Sequence, residues 1–322
     1  MCMSKISKFT AADIKNAASL LKDGSLVAFP TETVYGLGGD AENKDAVAKI
    51  YQVKGRPVDH PLIIHISSVR YMNKWARDFP DYVLGLASAF WPGPMTLILP
   101  RTSIAKDFIT GGQDSVAIRV PSHVVAQALL KEFENRGGIG IAAPSANRFG
   151  AVSPTTADAV SSELGQYLSS DDLILDGGQC IIGIESTIID CRQSLPIILR
   201  PGKVTQEMIE ELLNIKVDLD NSVNKIKVPG RYESHYAPKA KIFLTGLPKV
   251  GDGYIALSHI PTPEGAIRLA SPNNNEEFAQ ILYMALRSAD SKGIENVVVT
   301  PPIGKGVAIA VNDRLKKAAF LQ

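Results

Sequence analysis

The sequence is poor in cysteine: it has Cys2, Cys180 and Cys191 in 322 residues, and no C-x-x-C pair. An odd, scattered set cannot form a full disulfide framework, and it cannot supply the clustered thiolates of a structural zinc site. We therefore expect reduced thiols and no metal ion bound by the protein itself. A reactive thiol is the alternative for Cys180, because it lies near the candidate site residues in sequence.

The sequence also lacks an excess of charge of either sign, since 34 basic and 33 acidic residues give a formal net charge of +1. Binding nucleic acid through bulk charge requires a strongly basic face, so the balance disfavours that class but allows a local basic pocket. No apolar run approaches the roughly 18 residues of a membrane span, and residues 1–16 lack the apolar core of a signal peptide. We expect a soluble, cytoplasmic protein without membrane contact.

Three common active-site motifs are missing as well. There is no G-x-S-x-G nucleophile elbow and no G-x-x-x-x-G-K-[ST] phosphate loop. The segment with Gly36, Gly38 and Gly39 fails the G-x-G-x-x-G dinucleotide fingerprint, because position 41 is Ala. A polyphosphate site in this chain must therefore be built from other elements.

Helical and strand patterns alternate along the whole chain, which predicts an α/β fold. Thr10–Asp13 has the pattern of a capping box and opens a helix to about residue 23. A polar stretch over residues 217–240 lacks long periodicity and predicts a linker. Strand and helix patterns then alternate again. We expect a sheet domain over residues 1–216, the linker, and a small C-terminal α/β domain over residues 241–322.

Two short segments carry groups that a polyphosphate needs. Lys54-Gly55-Arg56-Pro57 places two cations after a predicted helix, and Pro144-Ser145-Ala146-Asn147 places a hydroxyl and an amide after a predicted strand. Ligand crevices of open α/β sheets form at such strand ends. The alternative for Lys54 and Arg56 is a pair of solvated cations that complement the dipole of the helix.

Two further arginines lie in predicted strands. Arg119 alternates with the apolar residues Val116, Ile118 and Val120, among which a charge is costly unless it is paired or faces a cavity. It could bind a carboxylate through two parallel hydrogen bonds, or it could simply face solvent. Arg200 ends another predicted strand, and a surface charge is the alternative there.

Histidines and glycines add weaker signals. His60 and His65 have no Cys, Asp or Glu cluster nearby that would complete a zinc ligand set. We expect His65, in an apolar strand, to be a core residue or to contact a ligand at the strand end. Pro30–Gly39 combines glycines with hydroxyl groups such as that of Thr33, and it predicts a ligand-contacting loop or a tight structural turn.

The order of these signals along the chain resembles that of the YrdC-type threonylcarbamoyl-AMP synthases, in the long form with an additional C-terminal domain. The matching segments are Pro30–Leu37, Lys54–Pro57 with Pro61-Leu62, Trp91–Thr96, Ala117–Pro121, Pro144–Asn147, Glu185–Ile188, Arg200–Gly202, Pro229-Gly230 and His235–Pro238. Residues beyond 240 match by position and size only. The family pattern usually has Asn where this chain has His60.

The resemblance implies a twisted, open YrdC-like α/β sheet domain followed by a small Rossmann-like βαβ domain. It implies a nucleotidyltransferase that makes threonylcarbamoyl-AMP and pyrophosphate from L-threonine, bicarbonate and ATP, with Mg²⁺ accompanying ATP. The product would supply the threonylcarbamoyl group of N6-threonylcarbamoyladenosine in tRNA through downstream transfer proteins, and direct contact with tRNA is expected to be weak.

The resemblance also implies roles for individual residues. The ATP side consists of Lys54, Arg56, His60, Ser115, Ser145, Asn147, Ser153, Arg200 and Tyr236. The L-threonine side consists of Thr33, His65, Arg119, Ala143 and Ser186. Lys54 and Arg56 are the expected catalytic pair, because their charges would stabilise the phosphate oxygens as pyrophosphate leaves.

The linker carries a separate expectation. Pro229–Lys239 contains Tyr232, His235 and Tyr236 between two prolines, and we expect it to lie across the cleft and exclude water from a labile mixed anhydride.

Two other functions fit parts of the pattern. A double-stranded RNA-binding module could use a concave basic face, but the sequence has no basic run and no set of stacking aromatics. A carbamoyltransferase of the hydrogenase-maturation type contains a YrdC-like domain together with zinc-finger cysteine clusters, which three scattered cysteines cannot supply.

Overall fold

The computed structural model describes residues 5–219 and 236–319. Within these ranges the chain forms a large mixed sheet with helices, which we call the larger domain, and a four-stranded parallel sheet with two helices, which we call the smaller domain. The predicted fold class is confirmed. No helix in the described ranges has the length and apolar character needed to cross a membrane.

The elements of the larger domain follow the predicted alternation. Its strands are β1 (Lys5–Lys8), β2 (Val27–Phe29), β3 (Gly36–Asp40), β4 (Ile63–His65), β5 (Met95–Pro100), β6 (Ser115–Arg119), β7 (Ile141–Ala142), β8 (Leu173–Asp176), β9 (Thr187–Asp190), β10 (Ile197–Arg200) and β11 (Asp218–Leu219). Its helices are α1 (Ala11–Lys22), α2 (Lys44–Lys54), α3 (Met72–Trp75), α4 (Tyr82–Phe90), α5 (Asp107–Thr110), α6 (Val124–Asn135), α7 (Ala157–Leu164) and α8 (Gln206–Leu213).

The smaller domain is simpler. It consists of β12 (Lys241–Phe243), β13 (Gly253–Ile255), β14 (Ile267–Ala270), α9 (Asn275–Ser291), β15 (Asn296–Val299) and α10 (Val307–Ala319). Its strands lie in the order β12-β15-β13-β14, and every pair is parallel.

The strand order of the larger sheet brings the candidate residues together. The order is β1-β8-β2-β3-β7-β4-β6-β5-β9-β10-β11. β4 pairs parallel with β6 in a register that sets His65 opposite Arg119 at the carboxyl ends of both strands. Ser145, just after β7, forms a bridge with Gly36 at the start of β3. Ser115 begins β6 and therefore lies at the other end of that strand from Arg119.

Helix ends determine where several side chains point. Thr10 and Asp13 form the predicted capping box at the start of α1. α2 ends at Lys54 because Gly55 adopts a left-handed conformation with φ 60°. This turn separates Lys54, still on the helix, from Arg56 beyond it.

Some elements differ from the sequence patterns. β3, within the glycine-rich segment, is a fully buried strand, and a Cβ at Gly38 would lie only 2.7 Å from the ring of Phe29 and 2.8 Å from Ile141. Glycine is therefore required there for packing between strands. Two residues of the predicted linker, Asp218 and Leu219, form β11, which pairs with β10 of the larger sheet. The boundary between the larger domain and the linker stays a prediction.

One apolar cluster spans the two domains. Val34, Val152 and Ile184 of the larger domain belong to the same buried cluster as the inward faces of α9 and α10. Gly183 has φ 82°, and a Cβ there would lie 2.4 Å from Cα of Gln280 on α9. The close backbone approach fixes the smaller domain against the segment that leads into β9.

Candidate active site

A pocket with about 520 Å³ of empty volume, part of it open to solvent, lies at the centre of the larger sheet. It is lined by Thr31, Thr33, Val34, Tyr35, Gly36, Arg56, Ile63, His65, Arg119, Ala143, Pro144, Ser145, Glu185, Ser186, Arg200 and Tyr236. All five residues predicted for the threonine side are in this lining, with four of those predicted for the ATP side: Arg56, Ser145, Arg200 and Tyr236. Segments far apart in sequence thus form one pocket.

Arg119 is buried and held by fixed acceptors. Its Nη2 donates to Glu32 Oε1 at 2.7 Å, and its Nη1 donates to Thr33 Oγ1 at 2.9 Å. The second oxygen of Glu32 accepts the backbone N–H of Ser122 at 3.0 Å. The side chains of Arg119 and Glu32 are 5% and 2% exposed, so the solvent-facing alternative for Arg119 is wrong.

His65 is a neutral neighbour of that ion pair. Burial, and then the charge of Arg119, lower the pKa of His65 to about 3. Its Nδ1 lies 3.3 Å from the carbonyl oxygen of Ile63. At pH 7 the imidazole can therefore donate or accept a hydrogen bond in the pocket without adding charge.

Lys54 is buried beneath the pocket and is not part of its lining. Its Nζ donates to the carbonyl oxygens of Ser145 and Asn147, each at 2.5 Å. Burial, and then the charge of Arg56, lower the pKa of Lys54 well below its ordinary value. A solvated cation is thus the wrong description of Lys54, and a direct phosphate contact remains a prediction.

Arg56 is buried and points into the pocket, so the solvated alternative is wrong for it too. Its Nη2 donates to the carbonyl oxygen of Pro61 at 2.8 Å. His60 and Ser115 are also buried but lie outside the lining. The His60 ring packs edge-on against Phe149, with 5.3 Å between the centroids.

Asn147 and Ser153 lie behind the lining. Asn147 Nδ2 donates to the carbonyl oxygens of Arg148 at 2.7 Å and Ala151 at 2.8 Å. Ser153 Oγ donates to Glu185 Oε1 at 2.6 Å. Contacts of these two residues with a nucleotide remain predictions.

Arg200 and Ser186 join the two predicted halves of the site. Arg200 Nε donates to the carbonyl oxygen of Ser186 at 3.0 Å, and Arg200 Nη2 donates to its Oγ at 3.1 Å. Arg200 is buried, so the surface alternative is wrong. Because Arg200 was assigned to ATP and Ser186 to threonine, their direct contact marks the boundary between the two halves.

Glu185 is a buried, pocket-lining carboxylate to which the sequence patterns assign no role. It accepts hydrogen bonds from Tyr283 Oη and Arg314 Nε of the smaller domain, both at 2.9 Å. Burial raises the pKa of Glu185, but the charges of Arg314 and Arg200 outweigh burial and lower it to about 2. An acidic residue two positions before a buried strand is the available signal, but its distant partners cannot be inferred from the sequence.

Tyr236 is the pocket-lining residue that the predicted linker supplies. Its ring stacks on Tyr283, with 5.7 Å between the centroids, and the guanidinium of Arg314 lies 5.5 Å from its centroid. The N–H of Ala237 donates to the carbonyl oxygen of Gly150 at 3.0 Å. Tyr236 and Ala237 of the predicted linker therefore lie between the two domains, while Pro229–His235 lie outside the described residues.

Comparison with known proteins identifies the family. A model of the Sua5/YciO/YrdC family, described as telomere recombination, matches residues 19–202, more than half of the chain. The chain belongs to the Sua5/YciO/YrdC family. A second model, described as the C-terminal domain of threonylcarbamoyl-AMP synthase, matches residues 204–320. The region that resembled the long form only by position and size is thus matched as well.

Relatives match this Sua5/YciO/YrdC chain over both domains. A threonylcarbamoyl-AMP synthase of Pyrococcus abyssi (strain GE5 / Orsay) is 38% identical over 325 residues, which cover 95% of this chain and 94% of the relative. One of Bacillus subtilis (strain 168) is 39% identical over 327 residues, which cover 95% and 92%. The crystal structure of P. abyssi Sua5 complexed with L-threonine matches with a TM-score of 0.87 at 36% identity, covering 99% of this chain and 97% of that chain.

Proposed function

We propose that this protein is an L-threonylcarbamoyladenylate synthase, which converts L-threonine, bicarbonate and ATP into threonylcarbamoyl-AMP and pyrophosphate. The observation that carries the proposal is that Arg56, Arg119 and Arg200 converge on one pocket beside a neutral His65. Three buried guanidinium groups suit a substrate pair with a triphosphate and a carboxylate. The names and full-length similarity of the relatives support the same reaction.

The reaction needs no covalent intermediate with the protein. The amine of threonine condenses with bicarbonate with loss of water, or adds to carbon dioxide with loss of a proton, and gives a carbamate. A carbamate oxygen then attacks the α-phosphorus, and the bond to the β-phosphate oxygen breaks as pyrophosphate leaves. Such transfers depend mainly on positioning and charge stabilisation.

On the threonine side, Arg119 would hold the substrate carboxylate. Glu32 and Thr33 already fix two of its nitrogen atoms, so the guanidinium is oriented before the substrate arrives. His65 and Ser186 line the same part of the pocket and would contribute neutral hydrogen-bonding groups. Ala143 would shape the wall beside them.

On the ATP side, Arg56 and Arg200 would bind phosphate oxygens from the pocket wall. Lys54 would add positive charge from beneath, and its hydrogen bonds to the carbonyl oxygens of Ser145 and Asn147 fix the segment that carries the Ser145 hydroxyl. Tyr236 would contact the nucleotide from the linker. His60, Ser115, Asn147 and Ser153 remain proposed as more peripheral ATP-side residues.

Mg²⁺ would arrive with ATP as part of the substrate. Residues 5–219 and 236–319 contain no group of three or more His, Cys, Asp or Glu side chains that could hold a metal ion. Glu185, which lines the pocket, is paired with Arg314, and Glu32 is paired with the pocket-lining Arg119. We therefore assign no protein ligand to Mg²⁺, which prefers phosphate and water oxygens.

The product is proposed to serve tRNA modification. Threonylcarbamoyl-AMP would pass to downstream transfer proteins that modify an adenosine, and the synthase itself would have little contact with tRNA. We further propose that residues 217–240 link a catalytic domain over residues 1–216 to the C-terminal domain over residues 241–322, and that Pro229–Lys239 acts as a lid. The RNA-binding alternative has no support from the named relatives.

The test is synthesis without RNA. The full chain is incubated with ATP, Mg²⁺, L-threonine and isotopically labelled bicarbonate, and the product is identified by mass spectrometry while pyrophosphate release is followed. We expect a labelled threonylcarbamoyl-AMP whose formation stops when any one substrate is omitted. Pyrophosphate release that does not require threonine, or a product without label, would contradict the proposal.

A further inference from the structure

The smaller domain places two side chains directly behind the pocket. Arg314 on α10 and Tyr283 on α9 are fully buried. Both donate hydrogen bonds to the Glu185 carboxylate, and Glu185 itself lines the pocket. Glu185 therefore lies between these two side chains of the smaller domain and the substrate space.

The same two residues also hold Tyr236. The ring of Tyr236 stacks on Tyr283 at an interplanar angle of 25°, and Arg314 lies over it. Tyr236 has φ 63°, a left-handed conformation that is unfavourable for a residue with a side chain and needs support from its surroundings. Its position in the pocket lining thus depends on contacts from the smaller domain.

Glu185 connects these two residues of the smaller domain to side chains on the ATP side. Its Oε1 accepts the hydroxyl of Ser153, and Ser186, the next residue, accepts two hydrogen bonds from Arg200. A buried carboxylate that accepts four hydrogen bonds from three residues is a rigid anchor, because moving it would leave a charge unpaired in a low-dielectric interior.

We propose that Arg314 and Tyr283 are positioning residues for the ATP half of the site, so that the smaller domain contributes to the geometry of the active site. They fix Glu185 and Tyr236 and thereby orient Ser153, Arg200 and the Tyr236 ring around the nucleotide. This inference rests on the proposed function for the identity of that nucleotide.

A purely structural role is the competing explanation, and the chain offers a matched control. Lys203 and Glu276 form another ion pair between the domains, at 3.2 Å, but with 40% and 59% exposed side chains and no contact with the pocket lining. Lys203→Ala therefore weakens the same interface without touching Glu185 or Tyr236.

The experiment measures kcat and KM for ATP and for threonine in Arg314→Gln, Arg314→Lys, Tyr283→Phe and Lys203→Ala, together with the melting temperature. Arg314→Gln should lower kcat/KM for ATP by about tenfold or more and leave KM for threonine within about twofold. Tyr283→Phe keeps the stacked ring and removes only the hydroxyl, so it should give about a threefold loss of the same kind. Lys203→Ala should leave both KM values unchanged.

The outcomes separate the explanations. A lower melting temperature of Arg314→Gln is expected under either explanation, because its partner is buried. A purely structural role would reduce only the active fraction, and therefore kcat at an unchanged KM for ATP, and that result would overturn the inference. If Arg314→Gln does not fold, Arg314→Lys and Tyr283→Phe provide the test. A KM for ATP equal to that of the wild type in both variants would also overturn the inference.

Binding separates this inference from the proposed function. Calorimetric titration of each variant with ATP needs no turnover. If the wild-type chain makes no threonylcarbamoyl-AMP, the proposed function fails, yet weaker ATP binding by Arg314→Gln than by Lys203→Ala still supports the positioning role. Equal ATP affinity in these two variants would contradict it.

Discussion

The pocket is held by two buried carboxylate–arginine pairs that are built in different ways. Glu32 and Arg119 both belong to the larger domain, where β6 fixes Arg119 beside His65 of β4. Glu185 and Arg314 come from different domains and are 129 residues apart in sequence. The first pair lies on the predicted threonine side, and the second borders the predicted ATP side.

The difference indicates how the two halves of the site depend on the fold. The residues predicted for the threonine half all belong to the larger domain. The ATP half also requires the smaller domain to dock, because Tyr283 and Arg314 satisfy Glu185 and support Tyr236. A change in one pair should therefore affect one substrate more than the other.

The largest expected effect is that of Arg119→Met. The change leaves the carboxylate of Glu32 buried without its arginine, which typically costs about 3–5 kcal/mol of unfolding free energy. Urea unfolding measures this loss, and the kinetics should show a higher KM for threonine with a smaller change for ATP. The double variant Glu32→Gln/Arg119→Met removes both charges and should recover part of the stability. A loss below about 1 kcal/mol in the single variant would contradict a tightly coupled pair.

The pH dependence of the unfolding free energy should differ between the two halves of the site. Glu185 has an ordinary pKa of 4.5 and a folded pKa of about 2, so the folded chain binds fewer protons in that window. Its contribution is present above about pH 4.5 and is lost as pH falls towards 2, a change of about 3 kcal/mol. The pKa of His65 is also lowered, from 6.5 to about 3, so its contribution is lost between those values as pH falls.

The measurement is the unfolding free energy as a function of pH for the wild type, Glu185→Gln and His65→Gln. Subtracting each variant curve from the wild-type curve should give an acid loss that begins near pH 6.5 for His65 and near pH 4.5 for Glu185. Two difference curves with the same window would show that the halves are not electrostatically distinct.

The comparison also shows what the sequence could predict. Caps and periodicity located most helices and strands, because those signals are local, as at Thr10 and Asp13. The convergence of Arg56, Arg119 and Arg200 was expected only from the resemblance. Arg314 carried no signal, because its partner is fixed by the docking of two domains, a long-range contact that no local pattern encodes.

Gly38 and Lys54 show two further limits of prediction from the sequence. The glycines of Pro30–Gly39 predict a ligand-contacting loop or a tight turn, whereas Gly36–Asp40 form β3, in which Phe29 and Ile141 leave no room for a Cβ at Gly38. Lys54 was expected either in solvent or on a phosphate. Neither alternative included its two backbone carbonyl partners, which depend on the path of the chain after β7.

Next in size are Lys54→Ala and Arg56→Ala, which test the cations of the ATP half. Each should lower turnover by roughly a hundredfold or more, which corresponds to about 3 kcal/mol in the barrier. Pyrophosphate release at saturating threonine is the measurement. Lys54→Ala should also reduce stability, because the carbonyl oxygens of Ser145 and Asn147 both lose a donor, whereas Arg56→Ala removes a donor from one carbonyl oxygen. Near-normal pyrophosphate release from both variants would remove them from the catalytic assignment.

The smallest expected effect is the loss of stability in Lys203→Ala. This variant compares an exposed ion pair between the domains with the buried pair of Glu185 and Arg314. Lys203 and Glu276 remain well solvated when paired, so their contribution to the unfolding free energy should be about 0–1 kcal/mol. Raising the salt concentration should reduce even this difference, because exposed charges are screened. Arg314→Gln should cost several times more in the same urea titration and should respond less to salt, because its partner is buried. If the two variants lose the same stability, docking of the smaller domain does not depend on the Glu185 pair, and the ATP half is as self-contained as the threonine half.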